Sequence, residues 1–196
     1  MDKQQLFKLI GIIKNKSQVD KIPIVRSQTI ELIIKLINQQ QYQYILEIGT
    51  GYGYSASSML ICKSIKKIIT IENNKFNFEI AQYFLKKTLK VTCLNLNAFD
   101  YEPQQKFDLI FIDGPKSHQE ILVNKCIKYL NNDGCIIVDN IFLNKIRQKN
   151  ILTKNQRTLL NKVDKFHKWL INNDALQTNI IEIDDGLAII KPKLIV

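Results

Sequence analysis

Tyr44-Ile-Leu-Glu-Ile-Gly-Thr-Gly-Tyr-Gly-Tyr-Ser55 decides the fold. Its first five residues are an apolar run holding one acid, Glu47, and its glycines fall at alternate positions, Gly49, Gly51 and Gly53. A helical pattern follows at once. A short apolar run bounded by glycines reads as a buried strand. A strand, a glycine turn and a helix start together make a nucleotide-type pocket. Glycine has no Cβ, so the chain turns sharply there and a ligand can lie against bare backbone. The spacing is G-x-G-x-G. It is neither the dinucleotide pattern G-x-G-x-x-G nor a phosphate loop, which ends in Gly-Lys-Ser/Thr.

Working outward, the pattern alternates. A helix is expected over residues 54–64, a strand over 67–71 ending at Glu72, and a helix over 75–89 with Phe76, Ile80, Phe84 and Leu85 on one side. Strands follow over 91–96 and 107–112, the second ending at Asp113, then a helix over 117–130. Asn131-Asn-Asp-Gly134 reads as a turn before a strand over 135–138, which ends at Asp139-Asn140. Residues 144–157 are polar and basic without a clear period, and a helix is expected over 156–171. Residues 179–191 read as a hairpin with Asp185-Gly186 as its turn. Repeated βα units imply an α/β, Rossmann-like, doubly wound sheet with helices on both faces. Its seven strands are mainly parallel, with the C-terminal hairpin antiparallel.

Residues 1–40 read as a helical extension of a single domain spanning residues 1–196. Leu6, Phe7, Leu9, Ile10, Ile12 and Ile13 form an apolar stripe that packs on the domain or on a second subunit. Pro23 excludes a helix interior, and Ser27 is the expected N-cap of the next helix. No apolar run is long enough to span a bilayer, and the start, Met1-Asp-Lys-Gln-Gln, lacks a signal-peptide pattern. A cytoplasmic protein with no membrane role is therefore expected. Cys62, Cys93, Cys126 and Cys135 form no C-x-x-C pair and read as reduced, buried thiols.

The formal net charge is +10, with a pI near 9.4. That suits a polyanionic partner such as nucleic acid; a Lys- and Asn-rich composition alone gives the same charge. Arg26, Arg147 and Arg157 are the only arginines. The last two lie among Lys145, Lys149 and Lys154, where a phosphate-binding rim and a solvated face are both open readings. Phe142 either stacks on a base or joins the core. Trp169 reads as core, and His118 and His167 as surface or packing residues.

Ligands of open α/β sheets bind beyond the carboxyl ends of the strands. Glu72 sits at such an end, where a carboxylate can accept both hydroxyls of a ribose. One such acid without a phosphate-binding lysine suits a nucleoside with an uncharged linker, such as S-adenosylmethionine. Asp113, Asp139 and Asn140 sit at the ends of two further strands. Two carboxylates and one amide oxygen suit a hard divalent cation, Mg2+ or another; caps and turns use the same residue types. Lys116, three residues after Asp113, is a candidate general base or a solvated lysine.

Leu46-Glu-Ile-Gly-Thr-Gly-Tyr-Gly-Tyr-Ser55, Ile71-Glu72, Phe111-Ile-Asp-Gly-Pro-Lys116 and Val138-Asp-Asn140 together resemble the class I metal-dependent O-methyltransferases, which include catechol and caffeoyl-CoA O-methyltransferases. The likeness spans about residues 20–192. Ile22-Pro-Ile-Val-Arg26, the helix through Trp169 and the ending Ile183-Asp-Asp-Gly-Leu-Ala-Ile189 look closest to the bacterial tRNA 5-hydroxyuridine branch of that family. The resemblance implies that Glu47, Gly49, Gly51, Gly53, Ser55, Glu72, Asn97, Ala98 and Asp113 hold S-adenosylmethionine. Asp113, Asp139 and Asn140 would hold Mg2+, Lys116 and Asp113 would be catalytic, and Arg26, Phe142, Arg147 and Arg157 would meet tRNA. It also implies a homodimer through the N-terminal helices. Asn97 stands where the family usually has Asp, and Gly114-Pro115 is an unusual filling before Lys116. A small catechol-like acceptor, or a non-catalytic RNA- or partner-binding module, are the other readings.

Overall fold

The computed structural model describes residues 1–193. The chain runs α1 (Lys3–Val19), α2 (Ser27–Gln40), β1 (Tyr44–Ile48), α3 (Tyr54–Met59), β2 (Lys67–Glu72), α4 (Lys75–Leu85) and β3 (Val91–Asn95). It continues with β4 (Phe107–Ile112), α5 (Gln119–Cys126), β5 (Leu130–Asp139), α6 (Asn144–Arg147), α7 (Lys154–Asn172), β6 (Leu176–Ile181) and β7 (Leu187–Pro192). The sheet has seven strands in the order β3-β2-β1-β4-β5-β7-β6. The first five are parallel, and β7 is antiparallel to both β5 and β6. The doubly wound α/β architecture expected from the sequence is therefore present.

Apolar residues on successive strand positions point to opposite faces. On β4, Leu109 and Phe111 join a core with α1 to α4, while Ile110 and Ile112 join one with α5 and α7. Burial on both faces is why the strands read as unbroken apolar runs. The N-terminal helices are part of this packing, because Ile13, Ile33 and Ile37 are fully buried; Phe7 and Ile12 stay exposed. No helix of the described residues is long and apolar enough to cross a membrane. All four cysteines are free; Cys93 is only half-buried.

Several local expectations are corrected. Asn131–Gly134 is not a separate turn but lies within β5. Phe107 pairs with Leu130 and Leu109 with Cys135, so these residues bulge out of register. The bulge folds tightly onto β4, where Asn131 Nδ2 donates to Asp108 Oδ1 at 2.5 Å. Ser27 is not the N-cap of α2. Arg26 holds that place without a side-chain bond, and the Thr29 amide instead donates to Asp184 Oδ2 at 3.2 Å. Residues 54–64 yield only Tyr54–Met59 as helix, and α4 stops at Leu85 with Phe76 exposed. α7 starts at Lys154, because Thr153 and Gln156 form a capping box. The hairpin connection spans residues 182–186, with Asp185-Gly186 at its end. The aperiodic segment after residue 141 contains the short α6.

Two glycines make opposite predictions. Gly49 has φ +101°, and a Cβ there would lie 2.3 Å from the Asp113 carbonyl oxygen. Gly11, inside α1, has open space around it. Gly49→Ala is expected to cost about 3 kcal/mol or more. Gly11→Ala is expected to add about 0.5–1 kcal/mol. Urea unfolding midpoints measure both; equal small effects would contradict the close approach at residue 49.

Candidate functional site

A cavity of about 620 Å³ opens at the carboxyl ends of β1, β2 and β4. Parallel pairing brings these ends level. The Gly49 amide donates to Ile71 O at 2.9 Å, and the Asp113 amide donates to Ile48 O at 2.9 Å. Gly49, Gly51, Ser55, Glu72, Asn97, Ala98, Asp113 and Lys116 all line this cavity, as residues of a common pocket must. Glu72 is held in place: its Oε2 accepts from the Gly51 amide and its Oε1 from the Asn74 amide, each at 2.8 Å. Asn97 Oδ1 accepts from the Phe99 amide at 3.0 Å, so that oxygen serves a local turn.

Two expected members lie behind the wall. Gly53 has φ +91° and faces Leu85, 2.7 Å from where a Cβ would stand, so it serves helix packing. Glu47 is 0% exposed and lies beneath the glycine turn. Thr70 Oγ1 donates to its Oε2 at 2.5 Å, while Oε1 is buried without a partner. Burial pushes the Glu47 carboxyl up to about 7; the Ser55 and Thr70 hydroxyls pull it down, and the Asp113 and Glu72 charges add to the rise.

Beside the cavity stands a second polar cluster. Lys116 Nζ donates to Asp113 Oδ1 at 2.7 Å. Asp139, at the end of β5, is 4% exposed, and its Oδ1 accepts from the Asn140 amide at 2.8 Å. Asn140 has φ +62°, the left-handed region. Burial pushes the Asp139 carboxyl above the usual carboxylate range, and the Asp113 charge adds to this; Lys116, the Asn140 amide and Arg26 pull it down. Two carboxylates whose charges oppose each other, with Asn140 adjoining in the chain, have the chemistry that a hard divalent cation takes, and such a cation would relieve their repulsion. Among the described residues no group of three or more His, Cys, Asp or Glu could hold a metal. The expected set has only two such residues, with an amide as its third.

The expected substrate residues are mostly engaged within the fold. Arg26 pairs with Asp185 at 2.5 Å. Arg147 Nε donates to Phe142 O at 2.7 Å, and its guanidinium pairs with Asp164. Phe142 packs edge-on against His167, and its ring fills the space that a side chain at Gly186 would need. Phe142 thus belongs to the core reading. Arg157 is exposed. Trp169 stacks on Phe166, as expected of a core residue.

Sequence reasoning missed part of the wall. Ile22, Pro23, Ile24 and Val25 line the cavity, as do Phe99 and His118. Tyr52 Oη donates to Asp20 Oδ2 at 2.7 Å, anchoring one end of segment 20–26, and the Arg26–Asp185 pair anchors the other. The signals for this wall were the helix break at Pro23 and the likeness of Ile22-Pro-Ile-Val-Arg26 to one branch of the family. His118 packs edge-on against Phe99, a contact between distant segments.

The model of the O-methyltransferase family matches residues 4–193. A candidate caffeoyl-CoA O-methyltransferase of Staphylococcus aureus is 29% identical, with a TM-score of 0.86, and the match covers 94% of this chain and 92% of that one. The tapetum-specific methyltransferase 1 of Arabidopsis thaliana is 24% identical over 180 residues, 86% of this chain and 76% of that protein. The O-methyltransferase TomG of Streptomyces achromogenes, solved with S-adenosylmethionine, is 19% identical with a TM-score of 0.78, covering 98% and 90%. At that identity the last likeness speaks to fold alone.

Glu47 generates a pH prediction. Its folded pKa near 7 lies above the ordinary value of 4.5, so the native state binds the proton more tightly than the unfolded chain. Its contribution is full below pH 4.5 and is lost as pH rises through 7. That loss is on the order of 3 kcal/mol. Glu47→Gln cannot ionise, so its stability should fall less than the wild type's between pH 5 and pH 8. Denaturant melts across that range check this; parallel declines would contradict it.

Proposed function

Because this chain belongs to the O-methyltransferase family, we propose that it methylates the 5-hydroxyl of 5-hydroxyuridine in tRNA, using S-adenosylmethionine and a divalent cation. One observation carries the reading: Asp113 belongs at once to the cavity wall and to the cluster of Asp139 and Lys116. A cofactor pocket and an oxygen-rich site thus share a residue, which methyl transfer between them needs.

In this reading the cavity takes S-adenosylmethionine. The Glu72 carboxylate accepts the ribose hydroxyls, and its bonds to the Gly51 and Asn74 amides fix its direction. Gly49 and Gly51 leave bare backbone against the ligand. S-adenosylmethionine supplies a sulfonium methyl, whose transfer to a deprotonated oxygen leaves a neutral thioether. Asp113, Asp139 and Asn140 would hold the cation, which supplies the Lewis acidity that lowers a hydroxyl pKa. Lys116 is the proposed acceptor of the hydroxyl proton, and Asp113, 2.7 Å from its Nζ, orients it. The net charge of +10 supports a polyanionic substrate. A homodimer through the N-terminal helices is part of the proposal, supported by the exposed Phe7 and Ile12 on α1. The second reading, a small catechol-like acceptor, is favoured by the likeness to the Staphylococcus aureus structure.

Methyl transfer to hypomodified tRNA, run with and without EDTA, tests the reading. EDTA should stop the reaction, and Asp139→Ala should slow it by at least about 100-fold. Activity on a catechol but not on tRNA would install the second reading, and full activity in EDTA would remove the cation. Glu72→Gln should weaken S-adenosylmethionine binding by about 10-fold or more in calorimetry; unchanged affinity would remove Glu72 from the ribose.

A further inference from the structure

A second cavity, of about 280 Å³, adjoins the first and shares Lys116 and His118 with it. Its other walls are the start of α5 and a face of α7 that carries Lys162 and Lys165. Residues three apart on a helix are neighbours, so these two ammonium groups stand together. Both lysines are exposed, and neither takes part in an ion pair among the described residues. Glu120 is the one acid in the wall, against three lysines. No side chain caps the first turn of α5, which leaves amide donors there. Gln119 in the same wall is 2% exposed, and its Nε2 donates to Asp139 O at 3.0 Å, which ties the start of α5 to the end of β5.

The arginines are placed differently. Arg26 and Arg147 are committed to Asp185 and Asp164. Arg157, on α7, is exposed and lines neither cavity, whereas Lys162 and Lys165 line this groove free to meet an anion. We propose that this groove holds the backbone phosphate of a nucleotide next to the one being methylated. The proposal rests on the RNA reading above and adds the path of the strand: from the main cavity, past His118, onto α7. Ammonium groups bind phosphate as point charges without reading sequence, so the groove would set affinity and register while the main cavity selects the base.

The test uses the full chain and a fluorescent anticodon stem–loop RNA, with binding followed by anisotropy over a series of salt concentrations. Lys162→Ala with Lys165→Ala is compared with Lys8→Ala and Lys14→Ala, a pair on α1 with the same charge change. The groove pair should raise the Kd about 10-fold and lower the salt slope by about one per lysine. The α1 pair should change the Kd less than about twofold. Turnover of free 5-hydroxyuridine should be the same in both variants as in the wild type. Equal losses from the two pairs, or no loss from the groove pair, would overturn the proposal. If the wild type leaves hypomodified tRNA unmethylated while the groove pair alone still weakens RNA binding, the substrate reading falls and the phosphate groove stands.

Discussion

The end of β1 can touch the end of β4 only because residue 49 has no side chain. The Asp113 carbonyl oxygen lies 2.3 Å from where a Cβ would begin. The register Ile48↔Ile112 brings the two strands out together, and the Asp113 amide closes the contact on Ile48 O. Gly114 repeats the constraint from the other side, with Ile48 Cγ2 3.1 Å from its would-be Cβ. The glycine turn and the acid cluster are therefore parts of one rim. A larger residue at 49 would push them apart by the width of a side chain, and with them the two halves of the chemistry.

A second constraint is electrostatic. Asp139 is the last residue of β5 and pairs with Leu187 of β7, so the sheet itself buries it. The Asp113 charge adds to the cost of burying its carboxylate. Lys116 and Arg26 offset this only in part. A fold selected for stability alone would have little reason to hold two acids this way. Glu47 repeats the theme below the turn, buried with one oxygen unpartnered.

The strands were legible because both faces of the sheet are covered, and a continuous apolar run such as 107–112 is what a strand buried on both sides requires. The rim acids were legible because each follows such a run directly. What was not legible depended on partners far away in sequence. Asn131–Gly134 has the composition of a turn, and only its packing against Asp108 makes it a bulge in a strand. Ser27 looks like a cap, but the acceptor comes from Asp184, 155 residues away from Thr29. Glu47 was expected to meet S-adenosylmethionine, and nothing local says that its carboxyl lies buried under the turn. Arg26 and Arg147 read as free cations because their partners, Asp185 and Asp164, belong to other elements.

The Arg26–Asp185 pair joins residues 159 positions apart. Around it, Thr29 bonds Asp184, and the Ile141 and Phe142 amides bond the carbonyls of Gly186 and Asp185. One end of the cavity wall and the loop after Asp139 thus depend on the last hairpin. During synthesis the N-terminal parts emerge first, and the glycine turn can form against β2 and β4 early. The wall at residues 22–26 and the loop at 140–142 stay unfastened until residues 184–186 leave the ribosome. The nascent chain can therefore pair its five parallel strands before it completes its site, and a chain truncated ahead of the hairpin would lose β6, β7 and the frame around the acids.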